Sequence, residues 1–286
     1  MDRRIIELYD EYAHAPLPRR VFLDRLAGLA GGAAAAALLL PLLESRRAAA
    51  AIVPPDDPRI VASRVVYPGH SGEVAGYLAM PPAAEHVGSV IVIHENRGLN
   101  AHIEDVARRL ALAGYLALAP DLLSSLGGTP ADEDKARALI GKLDPAVATA
   151  DSVAGVDWLH RHENGNGNVG ALGFCWGGDV VGQVAVTDPT LDAVVVYYGR
   201  PPAAADVASI TAPLLLNYAG LDQRLDALLP DYRAALDKAG VRYTLHVYEG
   251  ADHAFNNDTS PARYNAAAAK LAWDRTLAFF GKYLAG

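Results

Sequence analysis

The chain has 286 residues, 51% of them apolar, which is enough to bury the core of one large α/β domain. Its formal charge is −8, and Lys and Arg are scattered apart from isolated Arg-Arg pairs, which excludes nucleic acid as an expected partner. A single cysteine excludes an intramolecular disulfide and any multi-cysteine metal site.

Met1 to Leu17 read as weakly helical with mixed charge. Pro18-Arg19-Arg20-Val21-Phe22-Leu23-Asp24-Arg25 then precedes an apolar Ala/Leu/Gly run from Leu26 to Leu43, and Ala48-Ala49-Ala50-Ala51 follows. An Arg-Arg-x-Phe-Leu stretch before a mildly hydrophobic segment and a run of small residues resembles a twin-arginine export signal. On that preferred reading residues 1–52 are an N-terminal extension handled by the twin-arginine export machinery, and the protein is periplasmic. Pro18 in place of Ser or Thr, together with Asp2, Glu7, Asp10, Glu11 and Asp24, runs against it. The alternatives are a folded helical extension packed on the domain of a cytoplasmic protein and, third, a spanning helix. The last is disfavoured because Ala and Gly contribute little insertion energy and Pro41 interrupts the run.

From residue 53 to 286 the pattern predicts one domain. Ile60 to Tyr67 and Glu73 to Met80 read as strands joined by Pro68-Gly69-His70-Ser71-Gly72, an antiparallel hairpin. Ser89 to His94 contains a continuous β-branched run, the signature of a strand covered on both faces in a parallel sheet. Helical spacing at Ile103, Val106, Leu110 and Leu112 closes at Gly114, and a strand from Tyr115 to Ala119 completes a βαβ unit. Helices are predicted over Thr129–Leu143 and Pro145–His162, and Asn164-Gly165-Asn166-Gly167 reads as the turn into the next strand. Later strands fall at Ala193–Tyr197, Pro213–Tyr218 and Tyr243–Tyr248, with helices at about Leu225–Ala239 and Ala262–Leu284. This alternation predicts a doubly wound, mostly parallel sheet with helices on both faces.

The stretch Val169-Gly170-Ala171-Leu172-Gly173-Phe174-Cys175-Trp176-Gly177-Gly178 reads as a strand turning sharply into a helix that starts at about Asp179. Gly-x-Cys-x-Gly has the spacing of a nucleophile elbow, in which strand and helix approach so closely that only glycine fits two residues either side of the nucleophile. A thiol with a reference pKa near 8.5 needs a base and an orienting acid, so both should follow at the ends of later strands. Asp222 lies four residues past one strand and His253 five past the next, in the order nucleophile, acid, base. His253 takes the thiol proton, and Asp222 fixes its tautomer. Backbone N–H groups of Trp176 and, after the Val90–Ile93 strand, of Asn96 are the expected oxyanion donors, although Asn96 also reads as a plain loop residue. Tyr198 and Trp176 are candidates for the substrate pocket. Tyr197 faces the other way along its strand and has an equal claim to the core.

Gly-Phe-Cys175-Trp-Gly-Gly, Asp222, Gly-Ala-Asp-His253-Ala-Phe, Glu95 and Tyr197-Tyr198-Gly199 together resemble the dienelactone hydrolase (carboxymethylenebutenolidase) family of α/β-hydrolases. The resemblance covers roughly residues 60 to 284. It implies hydrolysis of a small-molecule ester or lactone through a thioester, without metal or organic cofactor. It also implies that Glu95 holds the resting thiol and helps activate it, where the residues alone read equally well as a Glu95–Arg97 pair. Family members hold the substrate carboxylate with arginines. Here Asn256 and Asn257 follow Phe255, the next arginine being Arg263, which leaves Arg97 or Arg200 as substitutes. A cysteine amidase or amidotransferase shares the elbow, but its histidine is usually followed by Pro-Glu rather than Ala254-Phe255; a non-catalytic scaffold with the same fold is the remaining reading.

Overall fold

The computed structural model describes residues 1–14, 17–43 and 51–286. One eight-stranded sheet organises the domain, its strands lying in the order β1-β2-β4-β3-β5-β6-β7-β8. β1 (Val61–Gly69) and β2 (Gly72–Met80) form the predicted hairpin, with Gly69 opposite Gly72. β2 lies antiparallel on β4 (Leu116–Pro120), while β4, β3 (Val87–Ile93), β5 (Gly165–Phe174), β6 (Ala193–Tyr197), β7 (Leu214–Ala219) and β8 (Tyr243–Tyr248) run parallel. The apolar strands β4 and β6, and β7 with Asn217 as its one polar residue, are buried along their whole length, as strands sandwiched between helices must be.

Three helices precede the sheet: α1 (Arg3–His14), α2 (Arg19–Ala30) and α3 (Ala33–Leu43). The domain adds α4 (Ala101–Leu112), α5 (Glu133–Ile140), α6 (Pro145–His160), α7 (Trp176–Thr187), α8 (Gln223–Asp226), α9 (Leu229–Ala239) and α10 (Ala266–Tyr283). The chain turns back at β3: β4 lies on one side of it and β5 on the other. Such a reversal opens a crevice beyond the carboxyl ends of the two strands, and the elbow sits at the end of β5.

Boundaries differ from expectation where side chains override composition. α5 begins at Glu133 rather than Thr129, because the Asp132 carboxylate accepts from the backbone N–H groups of Asp134 and Lys135. The helix expected over Leu225–Ala239 is two, α9 opening with Pro230 in its first turn. Asn164-Gly165-Asn166-Gly167 belongs partly to β5, whose pairing with β3 shifts register between Val87 and Ser89. α7 starts at Trp176 rather than at about Asp179, so its first turn contains Gly177 and Gly178 despite their low helix propensity.

The N-terminal helices form a satellite core of their own, built from Ile5, Leu8, Tyr9, Tyr12, Phe22, Leu26, Ala36 and Leu43. Tyr12 stacks on Phe22 at 4.2 Å, and Tyr9 meets the same ring edge-on. α1 also bonds the domain, the Tyr12 hydroxyl donating to Asp134 at 2.6 Å. Of the proposed cleavage region only Ala51 lies among the described residues. No single helix among them is long and apolar enough to cross a membrane; α2 and α3 reach the required length and composition only together, across a 110° bend.

Candidate active site

Cys175 caps α7 with φ 54° and ψ −121°, a left-handed conformation that costs a non-glycine residue about 1–3 kcal/mol. The elbow is held from several sides. Its N–H donates to the Tyr197 carbonyl at 3.0 Å, and its carbonyl accepts from Gly178 and Asp179. A Cβ on Gly173 would stand 2.1 Å from the Gly177 carbonyl oxygen, and one on Gly177 2.4 Å from the carbonyl oxygens of Ile93 and His94. Both flanking glycines are therefore required, as the spacing predicts, and the second presses the elbow against the end of β3.

That end of β3 is fixed by His94. Its Nδ1 donates to the Glu95 carbonyl at 2.7 Å and its Nε2 accepts from Leu122 N–H at 3.3 Å, roles that suit the neutral ring. Burial pushes its pKa down and favours the same form. The ring stacks on Trp176 at 5.3 Å. His94 thus joins the two segments expected to carry the oxyanion donors, a role its place in the β-branched run concealed. As the first residue of α7, Trp176 has an N–H with no intrahelical acceptor.

Asp222 and His253 meet. Asp222 caps α8, one oxygen accepting from Leu225 N–H at 3.3 Å, and the other lies 2.7 Å from His253 Nδ1. A carboxylate only accepts, so Nδ1 carries a proton and donates it to Asp222. Burial alone would raise the Asp222 pKa, but the hydrogen bond and charge of His253, the charge of Arg224 and the Leu225 N–H together outweigh it and the net shift is downward. Burial alone would lower that of His253; the charge of Cys175 and the bonds to Asp222 and Cys175 overcome it and push the imidazolium up to about 10. The neighbours of His253 therefore favour its charged, imidazolium form.

Cys175, Trp176, Tyr198, His253 and Asn96 line one cavity of about 510 Å³, together with Asp179, Arg200, Arg224 and Leu225, with Arg137, Ala138, Ile140 and Gly141 around α5, and with Ala13 and Leu17 from the N-terminal segment. Tyr198 sits at φ 40° with its ring 4.9 Å from that of His253, and its buried hydroxyl has no hydrogen-bond partner among the described residues. Burial holds the phenol far above its ordinary pKa, so it stays a donor. Tyr197 is core, its hydroxyl bonding Thr276 at 2.8 Å. Asp179, on the first turn of α7, is pushed up to about 6 by burial, against the opposing Arg200 N–H and cationic neighbours.

Two expectations need correction. Arg97 does not line this cavity: it is buried, pairs with Glu133 at 2.9 Å and bonds the Tyr9 hydroxyl. Glu95, rather than pairing with Arg97, accepts from Asn257 Nδ2 at 2.7 Å, so the residue that stands where an arginine was expected orients the carboxylate. Arg263 is also diverted, bonding Asp10 at 3.0 Å. Arg200 does reach the cavity, and Arg137, Asp179 and the two N-terminal residues are lining groups that local motifs did not mark. Among the described residues no group of three or more His, Cys, Asp or Glu side chains is placed to hold a metal ion.

Comparison with known proteins gives a consistent result. The family model described as the dienelactone hydrolase family matches residues 74–284, leaving α1–α3 outside the match. A protein of Escherichia coli O157:H7 named carboxymethylenebutenolidase is 34% identical over 243 residues, covering 79% of this chain and 89% of its own. A crystal structure named as a dienelactone hydrolase from Klebsiella pneumoniae superposes with a TM-score of 0.72 at 33% identity, covering 78% of this chain and 99% of that one. The Pyrococcus horikoshii acylaminoacyl peptidase shares the α/β-hydrolase fold alone, with a TM-score of 0.61 at 14% identity, over 79% of this chain and 42% of the peptidase.

Proposed function

The chain belongs to the dienelactone hydrolase family of carboxylic ester and lactone hydrolases, and we propose that it works through Cys175, His253 and Asp222 by way of a thioester acyl-enzyme. The observation that carries this reading is the 2.7 Å contact between His253 Nδ1 and Asp222, on a cavity shared with a cysteine held at positive φ on an elbow.

The thiolate sulfur attacks the acyl carbon, and the carbonyl electron pair moves to oxygen. Backbone N–H groups of Trp176 and Asn96 bind that oxyanion, each such donor contributing roughly 2.7–4 kcal/mol in related chemistry. Collapse breaks the carbon–oxygen bond, and His253 Nε2 gives its proton to the departing oxygen, which for a lactone stays tethered to the acyl group. Water then attacks the thioester with His253 as base, releasing the carboxylic acid and the thiol. Glu95, oriented by Asn257, supports thiolate formation from the β3 side. Arg200 lines the cavity and forms no ion pair among the described residues, which makes it the cation available to a substrate carboxylate.

Rapid mixing with p-nitrophenyl acetate, followed by mass spectrometry of the quenched protein, tests the reading. The expected result is a burst of p-nitrophenolate with the acyl group on Cys175, lost in Cys175→Ala. Iodoacetamide should label Cys175 quickly at neutral pH and slowly in His253→Ala. Undiminished turnover by Cys175→Ala would overturn the assignment.

A further inference from the structure

The N-terminal helices lie outside the family match, yet the domain is built to receive them. Three of its arginines converge on α1. Arg137 lies 3.6 Å from the Tyr12 ring centroid and donates to the Tyr12 carbonyl. Arg263 lies 4.9 Å from the Tyr9 ring, Arg97 5.8 Å from it, and both are buried. Arg97 and Arg263 repel one another, and Asp10 on α1 supplies carboxylate charge to the second of them. Without α1 these buried cations would lose an acceptor and a counter-charge, which is costly in a low-dielectric interior. Signal segments that are only passing through give a domain no reason to bury charge against them.

The contact reaches the chemistry. Asn96, expected to supply an oxyanion donor, has its side-chain amide bonded to the Ala13 carbonyl at 2.6 Å. Ala13 and Leu17 line the same cavity as Cys175 and His253, adding apolar surface to that of Ala138 and Ile140.

Resting on the thioester-hydrolase reading, we propose that the N-terminal segment is a retained wall of the catalytic cavity and that Ala13 and Leu17 are specificity-determining residues, setting the size of the uncharged aliphatic group the substrate lays against α5. The surface of α1 facing the domain is then part of the enzyme, and a chain cut near Ala50 has a different, more open site.

The test uses full-length protein and two esters, p-nitrophenyl acetate and p-nitrophenyl octanoate. Leu17→Ala should raise the octanoate-to-acetate ratio of kcat/KM by about threefold or more, and Leu17→Trp should lower it by a similar factor, since each methylene in an apolar site is worth a few-fold. If the tryptophan variant fails to fold, the alanine variant and Ala13→Gly, both of which remove volume, carry the test in the same direction. Cys175→Ala is run beside them: loss of both activities there, with the ratio unmoved in every wall variant, overturns the proposal while leaving the nucleophile intact. Survival of both activities in Cys175→Ala sinks the thioester reading instead, and this inference with it. Intact-mass analysis of the protein isolated from cells should show α1 present; loss of the first 50 residues would equally overturn it.

Discussion

Asp179 offers a quantitative check on the electrostatics of the cavity. Burial raises its pKa from 3.8 to about 6, although the Arg200 N–H, His253 and Arg224 all favour the charged form. The folded protein therefore binds this proton more tightly than the unfolded chain. Its contribution to stability is fully present below pH 3.8 and lost as pH rises through about 6. At about 1.36 kcal/mol per unit, a shift of roughly two units leaves the ionised carboxylate costing about 3 kcal/mol at pH 8 and only about 0.5 kcal/mol at pH 4. Asp179→Asn keeps an acceptor for the Arg200 N–H and removes the charge. It should gain up to about 3 kcal/mol in urea unfolding at pH 8, with little gain at pH 4. Equal gains at both pH values, or none at pH 8, would refute the idea that desolvation dominates at this side chain.

Asp222→Asn should lower kcat/KM for p-nitrophenyl acetate by at least about 10²-fold, because His253 loses both its orienting acceptor and its charge partner; a loss under threefold would remove Asp222 from the mechanism. Gly177→Ala should cost more than about 2 kcal/mol in urea and most of the turnover, since its methyl group meets two carbonyl oxygens at 2.4 Å and backbone cannot step aside as a side-chain tip can. His253, pushed up from 6.5 to about 10, contributes stability that is complete below pH 6.5 and is lost as pH rises to about 10. The wild-type urea midpoint should accordingly fall between pH 7 and pH 10 and fall less in His253→Gln, and equal slopes would contradict the assigned charge state.

How much of this was legible in the chain depends on how locally each feature is constrained. The elbow was readable because Gly173 and Gly177 answer a steric demand a few residues long. Asp222 and His253 were readable because a parallel sheet delivers loop residues to one edge, so their order along the chain mapped onto their place in space. Arg97 misled because its partners, Tyr9 and Glu133, are 88 and 36 residues away and no local pattern links them. The start of α7 was misplaced because propensity counts Gly177-Gly178 against a helix, whereas close packing requires glycine at the first of those positions. α1 was the least legible: its acidic residues read only as departures from an export signal, and no local pattern shows that Asp10 pairs with the buried Arg263.

The reversal of chain direction at β3 divides the cavity by ancestry along the polypeptide. Under the proposed mechanism proton transfer falls to residues following β5, β7 and β8, while part of the apolar lining comes from α5, Ala13 and Leu17. Side-chain changes in the second set would retune which molecules are accepted while leaving Cys175, His253 and Asp222 in place, since Ala13 reaches Asn96 only through its backbone carbonyl. New preferences can therefore accumulate here at little risk to turnover itself.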